Sequence, residues 1–344
     1  MTIAIHHRPG SFSDRWIEYC EQQRIKYKIV NAHDTDIIEQ VVDCEAFMWH
    51  HNQAKMADKL FARQLIYSLE TKGIICFPNF HTTWHFDDKV GQKYLLEAIR
   101  APLVPSYVFY NKKNALEWIS KTTFPKVFKL RGGASSANVS LVKTPQEAHK
   151  IVRKAFGKGF SYRTFKNLLS EDLRKYREGK MSLFAVIKSL GAYYLKPSDF
   201  QKLSSSERGY VYFQDFIPNN TFDIRVCIVN NKAFALKRLV RKGDFRASGS
   251  GNIIYDKNQI DERCVQVAFD TNDKLKMQSI AIDFIFDKSN RPLIVEISYG
   301  YVAAAYDKCE GWWDHDMKWH PGANFNFCGW MIEEVKSRIM NEKK

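Results

Sequence analysis

The spacing of apolar and polar residues predicts alternating strands and helices over the first 88 residues. Short apolar runs predict strands at 3–6, 27–30, 46–50 and 74–77. Amphipathic stretches between them predict helices, and the longest helix ends at Gly73, a residue suited to a helix C-terminus. Strands that alternate with helices are typical of a mostly parallel sheet. We therefore expect an α/β domain at residues 1–88.

The middle of the chain predicts a second domain that contains an insertion. The predicted strands are at 104–110, 125–130 and 139–142, and the predicted helices are at 87–99, 115–120 and 145–156. Residues 157–208 differ because they are basic and their apolar spacing predicts two helices, at 165–176 and 183–190. We expect a domain at 89–213 that carries a helical insertion at about 157–208.

The last part of the chain predicts a third domain that is rich in strands. Its predicted strands are at 210–216, 222–229, 233–240, 280–286 and 292–297. Trp312, Trp313 and Trp319 form a Trp-rich tail before a predicted helix at about 327–340. We expect this domain to span 214–344. The fold class of the whole chain is α/β with α+β character.

The chain is strongly basic. Among its 344 residues, 45% are hydrophobic, so core material is plentiful, and the formal net charge is +14. Such a charge attracts polyanions in general and does not select one class of them. The Lys and Arg residues are spread along the sequence, with no run of six or more like charges. This spread favours a solvated basic surface, and no nucleic-acid partner is expected.

The cysteines and the apolar runs indicate a cytoplasmic protein. There are 7 cysteines, an odd number, and no two of them form a CxxC motif. Neither a disulfide framework nor a zinc ribbon is indicated, so we expect reduced thiols. The first residues lack the apolar core of a signal peptide, and no apolar run approaches transmembrane length. We expect no transmembrane segment.

Lys129 lies near the end of the predicted strand at 125–130, just before a loop rich in small residues. The loop reads Arg131-Gly132-Gly133-Ala134-Ser135-Ser136-Ala137. Small side chains let backbone N–H groups approach phosphate oxygens, and the lysine adds a positive charge. The spacing is neither a Walker A loop nor a Rossmann fingerprint. Taken alone, the motif fits a phosphate site and a hairpin turn with a solvent lysine equally well.

Two further stretches place polar residues on apolar strands. Backbone groups at Gln214-Asp215-Phe216-Ile217 could pair with the edge of an adenine, although an ordinary strand and turn is the commoner interpretation. Asp223 and Arg225 share one face of a strand because side chains repeat every two residues. The repeated arginines, Arg225, Arg238 and Arg246, suit the stabilisation of a transferring phosphoryl group. The alternative is a set of surface salt bridges.

Two acidic residues lie inside apolar strands. Asp283 follows Ile280-Ala281-Ile282, and Glu296 follows Leu293-Ile294-Val295. A bare carboxylate among buried apolar residues is costly unless it is paired or binds a cation. Two carboxylates on neighbouring strands predict a magnesium site, since Mg²⁺ prefers hard oxygen ligands. Pairing with arginine is the alternative, and we favour magnesium.

Taken in order, these motifs resemble the ATP-grasp superfamily, and most of all ribosomal-protein glutamate ligases, glutathione synthetase and D-alanine–D-alanine ligase. The similarity begins at Asp88-Lys89 and the segment 101–105, continues through the motifs described above, and ends at 296–298. It covers nearly the whole chain except the insertion and the Trp-rich tail. The resemblance implies an ATP-grasp fold preceded by a pre-ATP-grasp domain.

The resemblance also implies roles for individual residues. The residues expected to bind ATP are Lys89, Lys129, Gly132, Gly133, Ser135, Ser136, Gln214, Asp215, Phe216, Ile217 and Asp223. Of these, the two lysines are expected at the phosphates, 214–217 at the adenine and Asp223 near the ribose. The expected catalytic residues are Arg225, Arg238 and Arg246. The expected Mg²⁺ ligands are Asp283, Glu296 and Ser298, which replaces the usual asparagine and leaves the number of ions, one or two, open.

The implied reaction joins a carboxylate to an amine. The γ-phosphoryl group of ATP moves to the carboxylate, and the amine then attacks the acyl phosphate. From the basic charge and the insertion we expect a uronic-acid-containing surface glycan, or its nucleotide-linked precursor, as the carboxylate substrate. The alternatives are a peptide or amino-acid ligase, a small-molecule kinase of the same fold, and a non-catalytic protein that binds nucleotide or polyanion. A homodimer is one assembly that would be compatible with this reaction.

Other aromatic residues are weaker candidates for the second substrate. His6, His7, His81 and His85 are candidates to line its pocket, although a lone loop histidine is more often incidental. The tryptophans of the tail would suit stacking on a sugar, although ordinary packing is the commoner role.

Overall fold

The computed structural model describes most of the chain. The described residues are 1–132, 139–160, 172–173, 176, 179, 181–195, 206–241, 244–247 and 249–342. Gly133, Ser135 and Ser136 lie outside them, as does most of the predicted helix at 165–176. Among the described residues, no helix is long and apolar enough to cross a membrane.

The first sheet is parallel, as predicted. Its strands are β1 (Ile3–His6), β2 (Tyr27–Val30), β3 (Ala46–Met48) and β4 (Ile75–Phe77), in the order β2-β1-β3-β4. The connecting helices are α1 (Phe12–Gln22), α2 (Ile37–Gln40) and α3 (Met56–Thr71), and α4 (Phe80–Thr83) follows β4. Ser11 caps α1 by accepting a hydrogen bond from the Ser13 N–H. Gly73 follows α3 with φ +85°, a conformation that favours glycine.

The second sheet is antiparallel and small. Its strands are β5 (Ser106–Phe109), β6 (Lys126–Lys129), β7 (Val139–Val142) and β8 (Val211–Asp215), in the order β5-β8-β6-β7. Helix α5 (Lys89–Ala98) precedes it, and α6 (Lys112–Lys121) and α7 (Pro145–Ala155) cover one face. We call this sheet with α6 and α7 the small lobe. The insertion contains α8 (Leu183–Leu195) and is closed by two hydrogen bonds between the backbones of Phe160 and Glu207.

The third sheet is antiparallel and larger. Its strands are β9 (Phe222–Val229), β10 (Lys232–Leu239), β11 (Ile253–Ile254), β12 (Ser279–Phe286), β13 (Pro292–Ser298), β14 (Gly311–Trp313) and β15 (Trp319–Pro321). The order is β13-β12-β9-β10-β14-β15, and β11 pairs with β10. We call this sheet with its helices α9 (Glu262–Leu275) and α10 (Phe327–Glu342) the large lobe. The sequence pattern predicts β9, β10, β12 and β13, but it predicts neither the short strands β11, β14 and β15 nor α9.

The hydrophobic cores connect the first sheet to the large lobe, whereas the small lobe has a separate core. One core contains Ile5 of the first sheet, Phe234 of the large lobe and Met331 of α10, so the first sheet and the large lobe share it. A second core lies between α9 and the opposite face of the large sheet. The small lobe has its own core, which includes Phe128 and Phe213. The domain boundaries expected at 88/89 and 213/214 stay a prediction.

Candidate active site

One face of the large sheet is apolar at one end and charged at the other. The side chains of Cys227, Leu236 and Ala281 belong to the shared core. Two residues further along β9 and β12, the same face carries Arg225 and Asp283. The apolar end therefore anchors the face, and the charged end forms the floor of a cleft.

The strand register sets the charged side chains side by side. Asp283 of β12 lies opposite Arg225 of β9 on one side and opposite Glu296 of β13 on the other. Asp223 of β9 lies opposite Arg238 of β10. The register between β12 and β13 shifts just after Asp283, and such irregularities are frequent next to active sites. The predicted common face of Asp223 and Arg225 is present.

Asp283 is held by two arginines. Arg225 donates from Nε and Nη2 to its two carboxylate oxygens at 2.5 and 2.7 Å, and Arg238 Nη2 lies 3.0 Å from Oδ2. Burial alone would raise the pKa of Asp283, but the two guanidinium groups outweigh it and hold the pKa below its ordinary value. Asp283 therefore stays ionised and fixes both arginines.

Asp223 and Arg238 form a second buried pair. Arg238 donates from Nε and Nη2 to the Asp223 oxygens at 2.6 and 2.7 Å. Burial raises the pKa of Asp223 in spite of this arginine. Asp223 was expected near the ribose of ATP, and the structure shows it bound to Arg238. Its contact with a ribose stays a prediction.

Arg246 lies apart from these pairs. It donates to the Asp244 carboxylate at 2.7–3.0 Å, and its Nη1 approaches the Val139 carbonyl oxygen of β7 at 3.5 Å. The neighbouring Phe245 ring meets the Phe216 ring edge to face at 5.9 Å. This part of the large lobe therefore reaches over the cleft to the small lobe.

Two lysines approach the charged floor, Lys129 from the small lobe and Lys89 from α5, whose Leu96 belongs to a core of the large sheet. Lys89 begins α5, its Nζ lies 3.5 Å from Glu296 Oε1, and its backbone N–H donates to the Arg131 carbonyl oxygen. Lys129 ends β6 and is buried. Burial lowers the pKa of Lys129 to about 8, with Glu296 and Asp283 opposing the decrease and Lys89 adding to it. Both lysines and both carboxylates therefore act on one another across a single cleft.

The segment Gln214–Ile217 connects the two lobes. Gln214 is buried, and its side-chain amide donates to Ser106 Oγ at 3.1 Å and towards the Val295 carbonyl oxygen of β13 at 3.4 Å. Asp215 ends β8 and pairs with Lys126 at 2.6 Å. Phe216 and Ile217 follow the end of the strand. Their backbone is thus placed at the hinge between the lobes, where the adenine was predicted.

The oxygen atoms near Glu296 suit magnesium in their chemistry. Asp283 and Glu296 are opposite each other, and Ser298 Oγ lies on the same strand as Glu296. However, Asp283 is shared with two arginines, and Ser298 Oγ donates to the Gly300 carbonyl oxygen at 2.8 Å. No group of three or more His, Cys, Asp or Glu side chains suited to a metal occurs in the described part of the chain. Glu296 is the more exposed of the two carboxylates, so a metal site would be built around it.

The remaining predicted residues do not form a common pocket. Gly132 is the last residue described before the loop. His81 Nε2 lies 2.5 Å from the Leu275 carbonyl oxygen. His6, on β1 of the first sheet, instead contacts the rings of His33 and Trp49. The tail tryptophans are packed: Trp313 is buried, and Trp312 stacks on His320 with ring centroids 4.1 Å apart. Packing therefore accounts for both of these tail tryptophans.

Sequence reasoning missed a polar link beneath the hinge. Tyr212 of β8 donates to Ser106 Oγ at 2.9 Å, and Ser106 Oγ donates to the Val104 carbonyl oxygen. Val104 in turn donates its backbone N–H to Ile294 of β13. These residues look like ordinary strand positions in the sequence. The only signal in the sequence was that Tyr212 and Gln214, which are two residues apart, place polar groups on the same face of one strand.

Comparison with known protein families gives one match, which covers part of the chain. Residues 185–308 match the model of the RimK-like ATP-grasp domain. The match begins within α8 and includes the hinge, the arginines and both carboxylates, but not Lys89 or Lys129. No significant match was found among curated protein sequences.

Solved structures share the fold over almost the whole chain. D-cycloserine synthetase has a TM-score of 0.60 at 11% identity, with 98% of this chain and 100% of that chain covered. A RimK domain ATP-grasp protein from Sphaerobacter thermophilus gives 0.57 at 12%, covering 98% and 100%. D-alanine–D-alanine ligase from Bacillus anthracis gives 0.54 at 15%, covering 99% of each chain. At these identities the likeness establishes the fold.

Proposed function

We infer that this chain is an ATP-grasp enzyme, an ADP-forming ligase that joins a carboxylate to an amine through an acyl phosphate. The observation that carries this inference is the arrangement of charges across the cleft. Two lysines, Lys89 and Lys129, face the carboxylates of Asp283 and Glu296. Such an arrangement suits a triphosphate with its counter-ion better than it suits a purely structural interface.

The lysines would bind the phosphates of ATP. Lys89 and Lys129 are both buried, so their charges are screened little by water and act strongly on nearby phosphate oxygens. Below a pH of about 8, Lys129 carries its proton and can donate to an anion. The loop after Gly132 would add backbone N–H groups.

The arginines would stabilise the transferring phosphoryl group. Arg225 and Arg238 are fixed by bidentate pairs with Asp283 and Asp223, so they need little reorganisation when charge develops. The γ-phosphorus–oxygen bond to ADP breaks while a bond to the substrate carboxylate forms. The amine nitrogen then attacks the carbonyl carbon, loses a proton, and inorganic phosphate leaves. Arg246 would act from the far side of the cleft.

Magnesium would be held chiefly by Glu296, with Asp283 and Ser298 as further oxygen ligands. When bound, the ion would neutralise phosphate charge. Asp283 could bind it only by giving up part of its contact with Arg225 or Arg238. The adenine would lie against the backbone of residues 214–217.

The carboxylate substrate is proposed to be a uronic-acid-containing glycan or its nucleotide-linked precursor. The support is the net charge of +14, which favours a large acidic substrate. A cytoplasmic location is supported by seven free cysteines, all buried.

The test is ADP release from the full chain with ATP, Mg²⁺ and paired libraries of acids and amines, followed by mass analysis. We expect ADP release that needs both an acid and an amine. The mass of the product should equal the sum of the masses of the acid and the amine minus the mass of one water molecule. A phosphorylated product formed without an amine would instead identify a kinase. An absence of nucleotide binding would contradict the enzyme assignment.

A further inference from the structure

Helix α8 of the insertion presents apolar side chains to solvent. Phe184 is 76% exposed, Ile187 60% and Leu183 52%. Phe184 has the highest exposed fraction among the large apolar side chains of the described residues. Single exposed apolar residues are common, but a contiguous apolar group on one helix marks an interaction surface.

These side chains lie on one side of the helix. Leu183 and Ile187 are four residues apart and therefore neighbours on its surface, and Phe184 lies about 100° around from Leu183. Lys188 follows Phe184 by four residues and is exposed. Val186 points to the other side and is buried. The helix is thus seated on the protein through Val186 and turns an apolar stripe edged by a lysine outward.

The sequence around this stripe is basic. Residues 157–208 contain eleven Lys and Arg against five Asp and Glu. Lys180 precedes the helix by three residues, and Lys196 follows its last residue. Apolar side chains combined with basic ones are typical of helices that lie on anionic membranes.

We propose that the α8 surface, formed by Leu183, Phe184, Ile187 and Lys188, docks the protein on an anionic phospholipid bilayer. The helix has 13 residues, which gives a length of about 20 Å, against roughly 30 Å for the hydrocarbon core. It is therefore too short to span and lies in the interface, with its apolar stripe among the acyl chains. A second copy is a poorer occupant, because two chains of charge +14 repel each other whereas an anionic surface attracts each.

The proposal is independent of the ligase reaction and is tested by co-sedimentation of the full chain with phospholipid vesicles. The vesicles are phosphatidylcholine alone or phosphatidylcholine with phosphatidylglycerol. We expect binding to the anionic vesicles, weak binding to the neutral ones, and weakening by salt. The double variant Phe184→Asp, Ile187→Asp should bind anionic vesicles at least about tenfold more weakly.

A matched control is available on α3. Leu60 is 61% exposed and Tyr67 is 59% exposed, so Leu60→Asp with Tyr67→Asp makes the same change in charge and a similar change in exposed apolar surface. This control should bind like the unmodified protein, and both double variants should keep their melting temperature and ATP binding. Equal loss in both variants, or no binding of the unmodified protein to anionic vesicles, would overturn the proposal. The proposal would also be overturned if the unmodified protein did not bind vesicles but formed a dimer, and if the α8 variant were monomeric while the α3 control stayed dimeric.

Discussion

The two lobes that face each other across the cleft are built differently. The large lobe shares its core with the first sheet through α10, so that Ile5, Phe234 and Met331 belong to one cluster. The small lobe packs on itself, and its core residues, such as Phe128 and Phe213, come from its own sheet and helices. The carboxylates and arginines therefore lie on the large lobe, which shares its core with the first sheet. Lys129 lies on the small lobe, which has a core of its own.

This difference separates the roles of the two halves. Arg225, Arg238 and Asp283 hold one another through short ion pairs on adjacent strands, which fixes their geometry before any ligand binds. The small lobe meets the large lobe through single hydrogen bonds instead, such as that of Gln214 to the Val295 carbonyl oxygen and that of Arg246, in the large lobe, to the Val139 carbonyl oxygen. A nucleotide bound between them would tie the lobes together.

The largest effect is expected where a buried charge loses its partner. Asp283→Asn leaves Arg225 and Arg238 without their shared carboxylate, so the free energy of unfolding should fall by about 3–5 kcal/mol. Urea unfolding measures this change. The matched variant Glu296→Gln alters a partly exposed carboxylate and should cost less than about 1 kcal/mol. Equal costs would mean that the large lobe does not depend on the Asp283 cluster.

Two buried phenylalanines test the separation of the cores. Phe234→Ala and Phe213→Ala should each cost about 3–5 kcal/mol, because both rings are fully buried. Hydrogen exchange should differ: Phe234→Ala should raise exchange in the first sheet and the large lobe together, and Phe213→Ala only in the small lobe. Uniform exchange across both lobes in both variants would contradict separate cores.

The fold was largely predictable because its elements have local signals, but their pairing was not. Strand β12 pairs with β9, which precedes it by some fifty residues, and only this pairing brings Arg225 to Asp283. The sequence therefore favoured magnesium at Asp283, whereas the structure shows the arginine pair. Helix α9 did have a signal: Asp261 caps it and Val265, Ala268 and Phe269 share its buried face. The core shared through α10 has no local signature.

A smaller effect is expected for the phosphate lysines. Lys129→Ala should weaken ATP binding by roughly 10- to 100-fold, because it removes a charge-assisted contact to phosphate. Lys121→Ala is the control: Lys121 is also a lysine of the small lobe, but it is exposed on α6 and pairs with Glu117. Calorimetric titration with ATP should show a much weaker effect for the control. A similar loss in both variants would place the triphosphate elsewhere.

The smallest effect is expected for His85, which lies in the N-terminal α/β part of the chain. Burial lowers its pKa from 6.5 to about 4, and neither ring nitrogen has a hydrogen-bond partner. Well above pH 6.5 the ring is neutral in both states; as the pH falls through 6.5 towards 4 the unfolded chain takes up a proton and stability is lost. His85→Leu should reduce the stability lost between pH 7.5 and 5.5 by about 1 kcal/mol. An unchanged slope of unfolding free energy against pH would contradict a buried neutral ring.

The most direct measurement is hydrogen exchange of the full chain with and without Mg²⁺ and ATP. Binding in the cleft should protect three segments together: β6 at Lys126–Lys129, the hinge at Gln214–Ile217, and the strands β12 and β13. This joint protection would place one ligand between the lobes. Protection confined to a single lobe, or to residues outside these segments, would contradict a shared triphosphate site.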